Sequence, residues 1–454
     1  MEDREGKRAA PEEGAIRFLL GGVLPRGEEV APAALVRERA DRFEAAERML
    51  RSPGPGRGWM DLPDRDPEPV REAAAWASRF GLLVQIGIGG SALGNLALHQ
   101  ALLPDAGEGR FLLLDNPDPR KFSVALERIG DRPFALAVVS KSGATAESAI
   151  QFAALGARME ARSPGFLRNR TIVVTDPEQG FLRAFSRETG CRSLPIPSDV
   201  GGRYSVLSPV GLLSAAFLGI DPGRLLAGAA RMREILLTRR GAENPAWVLA
   251  ALHLHHAEAG RNMAVLMPYS SRLNVFCEWF AQLWGESLGK EGRGTTPVRA
   301  LGAIDQHSQV QLYVDGPDDK FFTLMEVEPE PPDDPVPELP DALAPLGYLS
   351  GHRMGELMRL EARSTAAALE RAGRPVAYLR LPDLREETLG GLLFFCEYLT
   401  ALTGLAMGID PFDQPGVEQG KRYAYGLLGR PGYEEAAREV RERTGRIESL
   451  EIDA

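Results

Sequence analysis

Hydroxyls, a lysine and a glycine crowd into SKSGATAES, where Ser140, Lys141, Ser142 and Thr145 surround Gly143 at the end of the apolar run FALAVVS. Loop N–H groups, hydroxyl donors and an ammonium just ahead of a helix make a cradle for one phosphate monoester. A plain Ser/Thr-rich turn with an N-cap has the same composition. An earlier segment, LLVQIGIGGSALG, sets Gly87, Gly89 and Gly90 at a strand end, followed by Ser91 and a helix. Glycine there lets a ligand approach the backbone, and the helix N-terminus offers free N–H groups to an anion. Gly87, Gly89 and Ala92 also satisfy G-x-G-x-x-A, and Asp115 ends the next strand about where the ribose-binding acid of a dinucleotide fold stands. A dinucleotide enzyme has no need of the second cradle, so the pair of loops favours a phosphate-bearing substrate.

Proton chemistry has its own candidates. Glu286 interrupts the apolar helix AQLWGESLGK beside Trp284 and Leu283. An acid enclosed by such a run is tuned toward proton transfer near neutral pH, whereas a glutamate at a helix end is otherwise solvated. Arg203 follows Gly201 and Gly202 in SDVGGRYSVLSPVG, ahead of a helix beginning near Ser208. A fixed guanidinium there can stabilise a developing oxyanion; a surface arginine in a turn is the alternative. His307 stands in LGAIDQHSQVQ flanked by Asp305 and Gln306; a nearby carboxylate suits an acid–base imidazole, and a structural histidine is the equal alternative. PFDQPGVEQGKRYAY gathers Asp413, Gln414, Glu418 and Lys421 around a Pro-Gly turn leading into a helix. The cluster HLHH invites a metal test, but on a helix only His253 and His256 share a face, and only Glu258 could complete a site.

These residues need a scaffold. The apolar runs LLVQIGI, RFLLLDN, FALAVVS and TIVVTDP, most of them separated by stretches with helical spacing, predict a parallel sheet covered on both faces, with ligands beyond the carboxyl ends of its strands. NMAVLMPYS, QVQLYVDG, KFFTLMEV and VAYLRLP predict the strands of a second, similar domain, with RLNVFCEWFAQLWGESLGK and EETLGGLLFFCEYLTALTG as helices. The expected organisation is a helical lead over residues 1–60, α/β domains over 61–225 and 226–430, and a helical tail over 431–454. The acidic, proline-dense EPEPPDDPVPELPDALAP reads as a solvated loop.

The chain has 454 residues, 44% of them hydrophobic, and a formal charge of −10, which argues against a nucleic-acid or anionic-membrane surface. Three scattered cysteines fit neither a disulfide framework nor a spaced zinc site. The charged N-terminus has no apolar secretory core, and no segment is expected to reach the length of a membrane span, so the expectation is a cytoplasmic protein.

GIGGSALG, SKSGATAES, GGRYSVLSPVGLL, EWFAQLWGESLGK, DQHSQVQLY and PFDQPGVEQGK occur in the order of the glucose-6-phosphate isomerase family, which the chain resembles over roughly residues 55–430. The resemblance implies two doubly wound parallel-sheet sugar-isomerase domains of flavodoxin-like type. It implies a homodimer in which His307 reaches the partner's active site, and no metal or redox cofactor. It assigns Glu286 as the base, His307 and Lys421 to ring opening, and Arg203 to enediolate stabilisation. Gly90, Ser91, Ser140, Lys141, Ser142 and Thr145 match the phosphate site, and Gln414 a substrate-binding glutamine. Ser142 stands where threonine is usual, and Ala144 removes a hydroxyl often present. Isomerisation of glucose 6-phosphate and fructose 6-phosphate is the implied activity. Another sugar phosphate, or a non-catalytic phosphosugar sensor, is the alternative.

Overall fold

The computed structural model of the chain describes residues 15–24, 31–103, 109–143 and 145–447. The chain divides into two compact units, Met1–Pro411 and Phe412–Ala454. Within the first, ten strands are described: β1 (Arg17–Gly22), β2 (Leu83–Ile86), β3 (Phe111–Leu114), β4 (Ala135–Val139), β5 (Thr171–Thr175), β6 (Arg192–Pro195), β7 (Met263–Pro268), β8 (Thr296–Arg299), β9 (Lys320–Val327) and β10 (Val376–Leu381).

The first sheet has the order β3-β2-β4-β5-β6, with every pair parallel. β4 and β5 are buried at all positions, as a parallel strand with both faces covered must be. From β2 the chain passes through the helix Leu93–Leu102 to β3 on one side. From β4 it passes through the helix Ala146–Arg162 to β5 on the other. Chain direction therefore diverges between β2 and β4, and a crevice opens at their carboxyl ends. Ile86 lies opposite Val138, so the glycine loop and the hydroxyl-rich loop leave adjacent strand ends side by side. The connector between β3 and β4 is a helix, Pro119–Ile129, started by proline and capped by Asp118 accepting from Lys121 N.

The second sheet, β1-β10-β9-β7-β8, is parallel from β8 to β10, but β1 runs antiparallel to β10. The expected all-parallel second sheet is thus mixed. RFLLGG alternates exposed and half-buried positions and covers the otherwise open edge of β10. The residues QVQLYVDG form no strand; Val310–Asp315 is a short helix. Val310, Tyr313 and Val314 pack into the core of this sheet while Leu312 is exposed, which is helical i, i+3, i+4 spacing hidden under an apparent alternation. The proline-dense segment is largely exposed and leads into a 3₁₀ stretch, Asp341–Leu349. Cys191, Cys277 and Cys396 are buried free thiols.

The expectation that no segment reaches spanning length is corrected: the helix Glu386–Ala406 has the length and apolar composition to cross a membrane, but it runs through the core of the first unit and is buried almost throughout. It packs closely on the helix Pro222–Thr238. A Cβ on Gly390 would lie 2.0 Å from Leu225 O, and one on Gly228 would lie 1.9 Å from Glu387 O, so glycine alone allows the two backbones to touch.

Glu397 lies inside this helix at 0% exposure, and neither carboxyl oxygen has a hydrogen-bond partner among the described residues. Burial holds its carboxyl well above the usual carboxylate range, so the folded chain keeps a proton that the unfolded chain releases near pH 4.5. The group's contribution is fully present below that pH and is lost as pH rises toward the folded value. Glu397→Gln, always neutral, should gain stability relative to the parent by up to about 1.4 kcal/mol per pH unit over this window. Thermal unfolding from about pH 5 to pH 8 checks this, and a difference constant across that range contradicts a buried neutral carboxyl.

Candidate active site

At the β4 end, Ser140 Oγ accepts from Gly143 N (3.1 Å) and lies 3.3 Å from Thr145 Oγ1, which in turn lies 3.5 Å from Ser142 Oγ. Three hydroxyls thus face one another across a tight turn. The turn needs Gly143, whose φ is +66° and whose Cβ would sit 2.7 Å from Leu182 N. Thr145 is the N-cap residue of the helix Ala146–Arg162 but makes no side-chain cap bond, unlike Asp118, Ser208, Asp221 and Asn244 on other helices. Its hydroxyl serves the loop, and the first-turn N–H groups of a 17-residue helix stay open toward an anion. Ala144 lies outside the described residues. The Lys141 ammonium bonds Ser198 O (2.7 Å) and Val200 O (2.9 Å), and burial pulls its pKa down against the opposing charges of Asp176 and Asp199.

The glycine loop, with Gly90 and Ser91 in the short 3₁₀ turn Gly89–Ser91, is braced from below: Gln85 Nε2 donates to Ser91 O (3.1 Å), and buried Asn95 bonds Gln85, Val210 O and Ser214. A Cβ on Gly90 would stand 2.4 Å from both Gly202 C and Gly202 O and 2.9 Å from Arg203 N. Gly90→Ala must therefore push the Arg203 loop aside, and turnover should fall by about 10²-fold for a displacement near 1 Å. Steady-state kinetics checks this, and unchanged kcat would contradict the close packing.

The Arg203 side chain is 1% exposed, and its guanidinium is held from several sides: Nε donates to Ser287 Oγ (2.8 Å), Nη2 to Pro411 O (2.6 Å) and Nη1 to Glu286 Oε2 (3.4 Å). Tyr204 OH lies 3.1 Å from the same Ser287 Oγ; burial pushes its phenol far up, so it stays neutral. Trp59 stacks on the Tyr204 ring at 5.3 Å. The positive charge is fixed in place before any substrate arrives, the condition under which it acts on a developing anion without reorganising.

Glu286 is not enclosed as the sequence suggested. The helix Asn274–Leu288 buries Leu283, Trp284, Ser287 and Leu288, while the Glu286 side chain is 31% exposed. Its Oε1 accepts from Gln282 Nε2 (3.0 Å), one turn earlier, and its Oε2 faces Arg203. Gln282 Nε2 occupies the space 3.0 Å from where a Gly89 Cβ would be. The base candidate, the guanidinium and the glycine loop therefore share one locus.

The other candidates lie on other elements. His307 ends a 3₁₀ turn, Ile304–His307, with an exposed ring that no hydrogen bond ties to another described residue. Asp305 does not orient it: that carboxylate accepts from Leu301 N (2.7 Å) and Ser308 Oγ (2.6 Å). Gln414 and Lys421 belong to the second unit, Gln414 as N-cap residue of the helix Pro415–Leu427 and Lys421 on it, bonded to Glu418 at 2.7 Å. His253 and His256 are core residues. His253 packs on Trp284 and Phe321, and His256 Nε2 lies 2.7 Å from Val23 O. Sequence reading missed Gln282, Ser287 and Tyr204. Gln282 was findable four residues before Glu286 on one helix face, whereas Tyr204 and Ser287 meet only in the fold.

The phosphoglucose isomerase family matches residues 75–301. A glucose-6-phosphate isomerase of Rubrobacter xylanophilus is 45% identical over 428 residues, 91% of this chain and 96% of that protein. One of Carboxydothermus hydrogenoformans is 42% identical over 410 residues, covering 84% and 87%. A crystal structure of a hypothetical protein from Thermus thermophilus superposes with a TM-score of 0.83 at 38% identity, covering 91% of this chain and all of the other. With the fold, the two anion loops and this likeness over nearly its whole length, the chain belongs to the phosphoglucose isomerase family.

Proposed function

We propose that the chain is a cytoplasmic aldose–ketose isomerase of glycolysis and gluconeogenesis that interconverts glucose 6-phosphate and fructose 6-phosphate through a cis-enediol. The observation that carries this reading is the meeting of a partly exposed carboxylate, Glu286, with a buried, pre-positioned guanidinium, Arg203, at 3.4 Å beside the glycine loop. A base that moves a proton between adjacent carbons needs access to substrate, and the intermediate's negative charge needs a cation that does not move.

The phosphate seats against Gly90, Ser91, Ser140, Lys141, Ser142 and Thr145. His307 and Lys421 assist ring opening, and Gln414 contacts the sugar, roles that rest on the family likeness. Glu286 takes the proton from carbon 2 of the aldose and returns it to carbon 1, while Arg203 balances the charge on the enediol oxygens. The two sheets are read as two flavodoxin-like sugar-isomerase domains, residues 61–225 and 226–430; the 2-1-3-4-5 strand order, counted from β2, supports this for the first. The test is a coupled assay on EDTA-treated protein with fructose 6-phosphate, following glucose 6-phosphate and, in parallel, mannose 6-phosphate. Rapid formation of glucose 6-phosphate is expected; binding without turnover would favour a sensor.

His307 acts in the partner's site of a homodimer, a reading supported by its exposed ring without a hydrogen-bond partner among the described residues. Each site then takes Glu286 from one chain and His307 from the other. Mixing inactive Glu286→Gln and His307→Ala proteins should restore activity, because half the sites in each hybrid dimer are intact. Subunit exchange without recovered activity contradicts a shared site.

A further inference from the structure

Lys141 lies within the hydroxyl-rich loop, yet two of its three ammonium donors are spent on main-chain carbonyls of another segment, Ser198 O at 2.7 Å and Val200 O at 2.9 Å. Its own carbonyl is tied to the end of β5, accepting from Thr175 Oγ1 (3.3 Å) and Asp176 N (3.4 Å). The segment it grips is held from the other side as well: Gly58 N donates to Asp199 O (3.0 Å), and a Cβ at Gly58 would fall 2.2 Å from Asp199 Oδ1. Residues 198–200 are thus clamped between Lys141 and Gly58. Immediately after the clamp come Gly201 and Gly202, and then Arg203. Across this stretch Val200 N donates to Pro197 O (3.0 Å), Tyr204 N to Gly201 O (3.1 Å) and Ser205 N to Gly202 O (3.3 Å), so a hydrogen-bonded turn carries the position of residue 200 to the Arg203 backbone.

We propose that the Lys141 side chain is a positioning residue, a strut that fixes the loop bearing Arg203 to the loop that cradles the substrate phosphate. The main chain of Lys141 belongs to the cradle, and its ammonium serves the enediolate stabiliser. Seating a phosphate on Ser140, Ser142 and Thr145 then also sets Arg203, linking the inert end of the substrate to the reacting end. This rests on the isomerase reading given above.

Lys141→Met separates a strut from a phosphate ligand. Two probe ligands, tested as competitors of the substrate, read the two ends: inorganic phosphate engages the cradle alone, and arabinonate 5-phosphate adds a carboxylate at the reacting end. For a strut, kcat should fall and the arabinonate 5-phosphate inhibition constant should rise by a similar factor, about 10-fold to 10²-fold, with that of inorganic phosphate changed by less than about threefold. Lys141→Arg, which keeps the cation and its donors, should recover part of the lost kcat and is the working variant if the methionine protein does not fold. An inorganic phosphate constant that rises as much as that of arabinonate 5-phosphate overturns the proposal in favour of a direct ligand, and unchanged kcat overturns it outright. Hydrogen exchange of the amides from 198 to 205 gives a reading that needs no turnover: they should exchange faster in Lys141→Met, and equal rates contradict the strut. Wild-type protein inactive on fructose 6-phosphate would remove the isomerase reading, leaving the exchange result to decide the strut by itself.

Discussion

Glu286→Gln should lower kcat by roughly 10²–10⁴-fold, the worth of a positioned general base, while leaving KM within a few-fold of the parent. The amide keeps the shape of the side chain and can still meet Gln282 and Arg203, the two groups that hold the carboxylate at 3.0 Å and 3.4 Å. It cannot accept a carbon-bound proton. Because Glu286 is 31% exposed and stands outside the hydrophobic face of its helix, the substitution removes no core packing, and the melting temperature should stay near that of the parent. Turnover near the parental value would remove Glu286 from the chemistry altogether.

Arg203→Ala is expected to be costly in two ways. Loss of one preorganised charged donor should reduce kcat by about 10²–10³-fold, with a smaller change in KM. The same change empties a side-chain site at 1% exposure and strips Pro411 O of the Arg203 donor, an unpaired group costing about 1–3 kcal/mol, while Ser287 Oγ keeps Tyr204 OH as its partner. A lower melting temperature should therefore accompany the kinetic loss. Arg203→Lys keeps the charge, but one ammonium cannot reproduce the planar fork that reaches Ser287, Glu286 and Pro411 together, so it should recover stability before it recovers rate. A rise in KM with kcat intact contradicts the stabilising role.

Much of this site was legible because its parts sit at strand ends. The buried runs before Gly87 and Ser140 are short, apolar and rich in β-branched residues, and a parallel strand leaves that signature in any order. Sequence could not say that β2 and β4 are neighbours; their pairing, Ile86 opposite Val138, is what joins two weak loop motifs into one crevice. Arg203 and Glu286, 83 residues apart, were separately readable as an oxyanion donor and a base, but the Ser287 hydroxyl that locks the guanidinium was not.

The misreadings share a cause: local pattern is silent on which face finds the core. Val310–Asp315 alternates in hydropathy, but Tyr313 rather than Leu312 is buried, so the segment is helical. β1 is a lone strand whose partner, β10, lies more than 350 residues further along, beyond the reach of any local signal. The apolar length of Glu386–Ala406 reflects burial within the first unit, where Phe395 meets Phe18 of β1 and other faces meet helices, which composition does not distinguish from burial in lipid. Lys141 was read as part of the phosphate site from its place in the loop; that its ammonium also reaches Ser198 O and Val200 O, more than 50 residues along, lay outside local pattern.

The central claim is proton transfer through an enediol by Glu286, and isomerisation of fructose 6-phosphate in deuterium oxide tests it most directly. A partly exposed carboxylate exchanges its proton with solvent while the intermediate lives, so glucose 6-phosphate formed early should carry deuterium at carbon 2, with the label lost along with the turnover in Glu286→Gln. Rapid product formation with no deuterium at carbon 2 would mean that the hydrogen never passes through an exchangeable site, and would contradict the account.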